Sequence, residues 1–238
     1  MALPIVNSSR YTTNLPSSGK EIDYRPYLVK EEKILMVALE SKNQKQTTKA
    51  VKDVISACVL TEGFNVNELT LFDLEWVFLK LRSKSVGETT EIKVKCEECE
   101  TQHDTEINLE DLEVTGLGED DEDKIIQLTD TVGITMKYPS ADDVEGISEN
   151  ELKSVKGVLK LIVNCMETIF DEDNVYPCKD ETRKSVEEFL DSLNSAQFQK
   201  ITQFFTKIPA ITHDIEFTCT KCKHENKIEL KGLQSFFS

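Results

Sequence analysis

Lys95–His103 reads KCEECETQH and Phe217–Asn226 reads FTCTKCKHEN. Each stretch holds a Cys-x-x-Cys, with residues 100–218 between the two pairs. Around each pair the apolar residues alternate. Ile92 and Val94 precede the first, and Thr105, Ile107 and Leu109 follow it. Ile211, Ile215 and Phe217 precede the second, with Ile228 and Leu230 beyond. A period of two is the signature of a half-buried strand. Both pairs therefore read as strand, knuckle, strand.

A Cys-x-x-Cys in a tight turn lets two sulfurs reach one ion. Zn²⁺ takes four ligands at tetrahedral corners, with thiolate sulfurs at about 2.3 Å. One knuckle would leave the ion half coordinated, whereas two complete each other. The expected ligands are Cys96, Cys99, Cys219 and Cys222, and the expected cofactor is a structural zinc ion. Unligated thiols remain an alternative, and so does redox work. A redox pair belongs at a helix N-terminus following a strand, where the dipole lowers a thiol pKa. Here charged, alternating sequence follows each pair instead. A disulfide suits an oxidising compartment, and the N-terminal MALPIVNSSRYTTNLPSS lacks the basic start and apolar run of a secretory leader. His103 and His224 could each replace a sulfur, although either also reads as an ordinary hairpin residue. Cys58 and Cys165 fall on helical patterns as small core residues, and Cys178 in YPCKDE has no evident partner.

Joining the knuckles makes the chain leave a zinc-ribbon-like unit halfway, build another lobe and return. Closure entropy grows only with the logarithm of loop length, so so large an insertion is tolerable. The expected divisions are 1–86 (an N-terminal hairpin and helices), 87–115 with 208–238 (the split ribbon), and 116–207 (an inserted hairpin and helical lobe). The fold class is α+β: a mainly helical lobe, a discontinuous ribbon and short hairpins.

Periodicity supplies the elements. YTTNLPSSGKEIDYRP, residues 11–26, predicts a hairpin around a Pro-Ser-Ser-Gly turn. A helix is expected over 30–42, with Glu31 and Glu32 suited to the positive end of its dipole. Val51, Val54, Ile55 and Cys58 predict a second helix ended by Gly63. Leu74, Val77, Phe78 and Leu81 predict a third followed by Gly87. Alternation at Val132, Ile134, Met136 and Tyr138 predicts a hairpin turning near Gly133. A helix is expected over about 149–170 from Val155, Val158, Leu159, Ile162, Met166 and Ile169. The next starts near Ser185, where Ser185-x-x-Glu188 fits a capping box, and the last runs over about 195–207.

Composition narrows the function. Of 238 residues 39% are hydrophobic and 30% charged, and the formal net charge is −16. Nucleic-acid binders carry a basic face that displaces counterions, so this balance disfavours wrapping a polyanion. No window approaches the ~20 apolar residues of a membrane span. The runs Glu119–Asp123 and Asp171–Asp173 read as solvated loops, and DEDNVY lacks the glycine and distal glutamate of a calcium loop. No phosphate loop, HExxH, GxSxG or GxGxxG is present. Of the three histidines, 103, 213 and 224, His213 fits a half-buried strand position. No catalytic residue is expected.

Three separated stretches resemble a known family, the T4-type bacteriophage baseplate hub proteins. They are YRPYLVKEEKILMVALES (24–41), LTLFDLEWVFLKLRSKSVGE (69–88) and the terminal CTKCKHENKIELKGLQSFF. The resemblance runs from about residue 11 to the end. It implies a non-enzymatic structural component or assembly factor of a contractile-tail baseplate hub. Such a protein works in the host cytoplasm during assembly and then in the virion tail baseplate. Its partners would be other hub and tail proteins, with no small-molecule substrate, no nucleic acid and no membrane. One alternative is an assembly chaperone or catalyst absent from the mature virion. Another is a zinc-ribbon nucleic-acid binder. Lys221, Lys223 and Lys227 favour the latter, but Glu97, Glu98 and Glu100 and the lack of an aromatic residue within either knuckle weigh against it. Phe236 and Phe237 read equally as core packing or as a docking plug.

Overall fold

Short polar turns and alternating strands set the beginning of the fold. Tyr11–Asn14 (β1) pairs antiparallel with Glu21–Tyr24 (β2), Tyr11 opposite Tyr24. The Leu15–Lys20 turn closes with Gly19 donating to the Leu15 carbonyl at 2.8 Å, at a φ of +66° that glycine adopts without steric cost. The computed structural model describes residues 8–41, 43–118, 124–144, 147, 151 and 154–232. The acidic run Glu119–Asp123, the expected helix start near 149, and Phe236 and Phe237 lie outside the described residues.

Three helices follow: Val29–Glu40 (α1), Gln44–Cys58 (α2) and Leu71–Ser85 (α3). Asn43 and Thr70 cap α2 and α3 through the amides of Gln46 and Asp73. Leu28 precedes α1 and has no such oxygen. Instead, the Glu31 carboxylate reaches back to the Leu28 N–H at 2.8 Å and accepts from Arg25 at 2.9 Å. Arg25 also donates to the Ala57 carbonyl at the end of α2. Glu31 therefore does more than complement a dipole: it is a buried anion tying the start of α1 to α2. Helix α2 ends at Cys58, and Gly63 lies beyond it in a later turn, at φ +71°.

Thr89–Lys95 (β3) and Gln102–Asn108 (β4) form the first cysteine hairpin, and Glu113–Thr115 (β5) follows. The chain then builds Ile125–Gln127 (β6), Gly133–Met136 (β7), Val155–Cys165 (α4), Met166–Phe170 (β8), Val175–Pro177 (β9), Arg183–Asp191 (α5) and Ser195–Thr206 (α6). It finishes with Ala210–Thr218 (β10) and Glu225–Lys231 (β11), the second cysteine hairpin. Among the described residues this makes a mixed α and β chain of six α-helices and four small antiparallel sheets. The sheets are β1-β2, β3-β4, β11-β10-β5 and β6-β7-β8-β9.

The chain divides into two compact units, residues 1–115 with 209–238, and residues 116–208. In the first, Leu79 of α3 packs with Ile92, Val94, Ile107, Leu109, Leu112, Ile211 and Ile215, so α3 and strands of both cysteine hairpins share one core. In the second, Ile134, Met136, Ile162, Cys165, Met166, Val186, Leu190, Ile201 and Phe204 pack together. Burying an Ile or Phe side chain contributes roughly 1.5–3 kcal/mol, which is why these alternating and helical apolar positions turn inward. Cys178 packs at the margin of that second core.

Besides the end of α2, three further expectations are corrected. The helix read through residue 170 stops at Cys165, and Met166–Phe170 is the strand β8, paired with β7 and β9. Thr168, Ile169 and Phe170 are β-branched or aromatic, and edges to pair with outweigh a helical reading of Met166 and Ile169. The hairpin of β6 and β7 forms as expected and closes with the Leu128 N–H on the Val132 carbonyl, but Gly133 itself is just past the turn. It lies in β7 opposite Phe170, whose ring occupies the place a side chain would need: a Cβ there would meet the ring at 2.3 Å. Ser185 does not begin α5, because Thr182 caps it by accepting from the Ser185 amide.

Candidate metal centre

The two knuckles repeat one backbone pattern. In the first, the Cys96 N–H donates to the Thr101 carbonyl and the Glu100 N–H to the Cys96 carbonyl, both at 2.9 Å. In the second, Cys219 donates to His224 at 2.8 Å and Lys223 to Cys219 at 3.0 Å. Glu100 and Lys223 occupy matching places at φ +55° and +63°, a left-handed step that closes each turn. Each turn thus aims its two sulfurs to the same side.

The hairpins bring all four sulfurs together. Cys96 Sγ lies 3.6 Å from Cys222 Sγ, and Cys99 Sγ 3.6 Å from Cys219 Sγ. All four lie within 4.8 Å of one another. Sulfurs about 2.3 Å from a tetrahedral ion stand ~3.8 Å apart, so the cluster has the size a tetrathiolate site requires. All seven cysteines are free thiols, and Cys96 and Cys219 are buried while Cys222 is exposed.

The surroundings favour negative sulfur at some positions and oppose it at others. The Thr101 hydroxyl, 3.2 Å from Cys99 Sγ, and the Thr101 N–H bring the Cys99 thiol down to about 6. Burial works against the Cys96 thiolate, but the N–H groups of Cys99 and Glu98 outweigh it and lower that thiol too. At Cys222 the His224 N–H favours the thiolate, yet burial and the other three thiols together push it up to about 12. Four crowded sulfurs cannot all shed protons unaided, and a divalent cation is what such a donor set accommodates.

His103 Nε2 lies 3.3 Å from Cys219 Sγ, with its ring against Phe217 at 5.0 Å between centroids. It stands beside the four sulfurs, which by themselves have the number a tetrahedral ion would take. His224 meets the cluster through its backbone, accepting from Cys219 and from Asn226 Nδ2. Asn226 is the residue that strand periodicity did not single out. It is buried, and its Oδ1 accepts the Glu97 N–H of the opposite knuckle at 2.9 Å. A polar residue in an alternating strand carries no sequence signal for such a contact. His213 is half-buried in β10 opposite Leu230, as its register suggested. Asp171 accepts from the amides of Asp173 and Asn174 and from the Tyr176 hydroxyl, making the first four residues of DEDNVY a turn between β8 and β9, with Val175 and Tyr176 already in β9.

The family model described as T4 bacteriophage base plate protein matches residues 8–238. The chain belongs to that family. The match takes in both knuckles of this base plate protein and the stretches 24–41 and 69–88 that carry the resemblance. Baseplate hub assembly protein gp26 of Enterobacteria phage T4 is 25% identical to it over 228 residues, 95% of this chain and 97% of that protein. No solved structure matches. Among the described residues of this base plate protein, no helix is long and apolar enough to cross a membrane.

Proposed function

We propose that the chain is a non-enzymatic structural component or assembly factor of a contractile-tail phage baseplate hub. The observation that carries this reading is the family match over residues 8–238, joined to near full-length similarity to a protein named for baseplate hub assembly. On this reading it acts in the host cytoplasm during assembly, then in the tail baseplate, and its partners are other hub and tail proteins. The relative's name, a baseplate hub assembly protein, favours the assembly-factor form of the reading. Mass spectrometry of purified virions separates the two. Retention at a fixed ratio to tail subunits marks a structural component, and absence marks a transient factor. Normal, infectious particles from a phage lacking the chain would overturn both.

Within this function Cys96, Cys99, Cys219 and Cys222 hold a structural Zn²⁺. The fit of the four sulfurs to a tetrahedral donor set supports it. The ion would supply a cross-link between two hairpins far apart in the chain. Residues 87–115 with 208–238 then act as a split zinc-ribbon-like element beside residues 1–86, with 116–207 as the insertion. Metal analysis of the purified chain tests this. About one zinc per chain is expected, and less than ~0.3 without chelator exposure would sink it.

A further inference from the structure

Helix α1 packs on α2 with Glu31, Leu35 and Ala38 buried, and its opposite side is left open. At 100° per residue that side is centred on Lys33 and Glu40, with Val29, Met36 and Val37 around them. All five are exposed, Val29 at 65%, Met36 at 56% and Val37 at 68%. Ile34 and Leu39 are exposed where the two sides of the helix meet. None of these residues packs in either core described above. A run of uncovered apolar side chains of this kind ordinarily marks a contact site.

The order of charges along this side says what covers it. Lys33 and Glu40 stand seven residues apart, about two helical turns on one line, with Met36 and Val37 midway between them. With a second copy of the helix turned end for end about a two-fold axis between Met36 and Val37, Lys33 of each copy meets Glu40 of the other. Met36 of each then meets Val37 of the other. Lys30 and Glu32, on the two borders of the face, come level with Asn43 and Ser41 and meet no like charge. A parallel pair would instead set lysine on lysine and glutamate on glutamate. The patch is its own complement, which is what a two-fold interface requires. A purely acidic or purely basic partner would satisfy one of the two charges and repel the other.

We propose that α1 docks antiparallel on α1 of a second copy of this chain, through Met36, Val37 and two reciprocal Lys33–Glu40 pairs, with Val29 at each end. Apolar contact supplies the affinity, and charges set in the seam fix register and direction at some cost in stability. One short helix on another lies at the small end of interface sizes, so dissociation is expected in the micromolar range. The proposal goes beyond the baseplate reading and rests on this surface alone.

Sedimentation equilibrium of the full chain at low salt, from about 1 to 500 μM, tests this. The wild type is expected to pass from monomer to dimer across that range. Met36→Asp with Val37→Asp should raise the dissociation constant at least ~10-fold. Lys33→Glu leaves only acids on the central line and Glu40→Lys only lysines, so each variant alone should dimerise at least ~10-fold more weakly. Mixed in equal amounts, these two variants should pair with each other about as tightly as wild type with itself, because opposite charges then meet at both contacts. Circular dichroism should be that of wild type for every variant, since the substituted side chains are exposed. A wild type that stays monomeric throughout would give the face to a different partner and overturn the proposal. So would a dimer indifferent to Met36→Asp with Val37→Asp, or a mixture of the charge variants that gains nothing over either alone.

Discussion

The Glu97 N–H donates to Asn226 Oδ1 at 2.9 Å, across 129 positions of sequence. Through that bond the second hairpin holds the backbone of the first, beside the sulfurs and independently of any ion. Asn226 also donates to the His224 carbonyl in its own knuckle. One buried side chain therefore orients both turns, so that four thiols lie ready for a single cation. Asn226→Ala strips partners from two backbone groups at a buried place. It is expected to cost about 1–3 kcal/mol in urea unfolding, with zinc still bound. A variant as stable as wild type would show that the latch contributes nothing.

If the four thiols hold zinc as proposed, removing it should cost more than removing the latch. Binding energy at a structural zinc site is folding energy, because the unfolded chain offers no assembled site. Cys96→Ser and Cys222→Ser are each expected to lose the ion and to melt at lower temperature, and a chelator should lower wild type toward them. Calorimetry with parallel metal analysis checks this. Unchanged melting after complete zinc loss would contradict a structural role.

His103 Nε2 touches Cys219 Sγ at 3.3 Å, and on the four-cysteine reading it lies outside the donor set. In the tautomer that carries its proton on Nε2 the ring would donate to a metal-bound sulfur, and such outer partners are worth about 10–100-fold in metal affinity. His103→Phe should therefore weaken zinc in a chelator competition by about that factor. The cobalt-substituted protein should keep its tetrathiolate absorption bands. Loss of thiolate-to-metal intensity would instead make His103 a ligand.

Glu110 gives a pH signature. Burial would raise its carboxyl, but Lys80 at 2.7 Å, Ser83 at 2.6 Å and Lys84 at 3.2 Å hold it down to about 2. Its folded value lies below the ordinary carboxylate value of ~4.3, so the unfolded chain takes up the proton first. The contribution is whole above ~4.3 and disappears as pH falls toward 2. Glu110→Gln should lose stability at neutral pH, and its deficit should shrink steadily over that acid range in urea titrations. A deficit that does not change with pH would rule out the charged network as its source.

Gly133 has no room for a side chain while Phe170 covers it. Gly133→Val is expected to displace the ring and cost about 1–3 kcal/mol, since filling a packed place forces neighbours out of position. Adding Phe170→Ala should recover part of that loss. A double mutant no better than the single one would place the strain elsewhere.

Much of this was legible in residue order. The two knuckles, the β1–β2 hairpin and helices α2, α3 and α6 follow from local period and turn chemistry, because strands and helices repeat at 2 and 3.6 residues whatever surrounds them. What local pattern misread was decided by distant partners. Met166–Phe170 suits either period, and it became a strand because β7 and β9 offer edges on both sides. The turn read near Gly133 forms just before it, but the reason for a glycine there lies in Phe170, far along the chain, which covers its empty side.

Residue types and spacing by themselves determined that two cysteine pairs sit on matching hairpin tips. Only the tertiary structure decided that four sulfurs meet within 4.8 Å, that Asn226 latches the opposite knuckle, and that α1 turns apolar side chains outward. Spacing fixes which way neighbouring side chains point. Which surfaces come together, and which are left uncovered, is settled by packing between segments that the linear order keeps far apart.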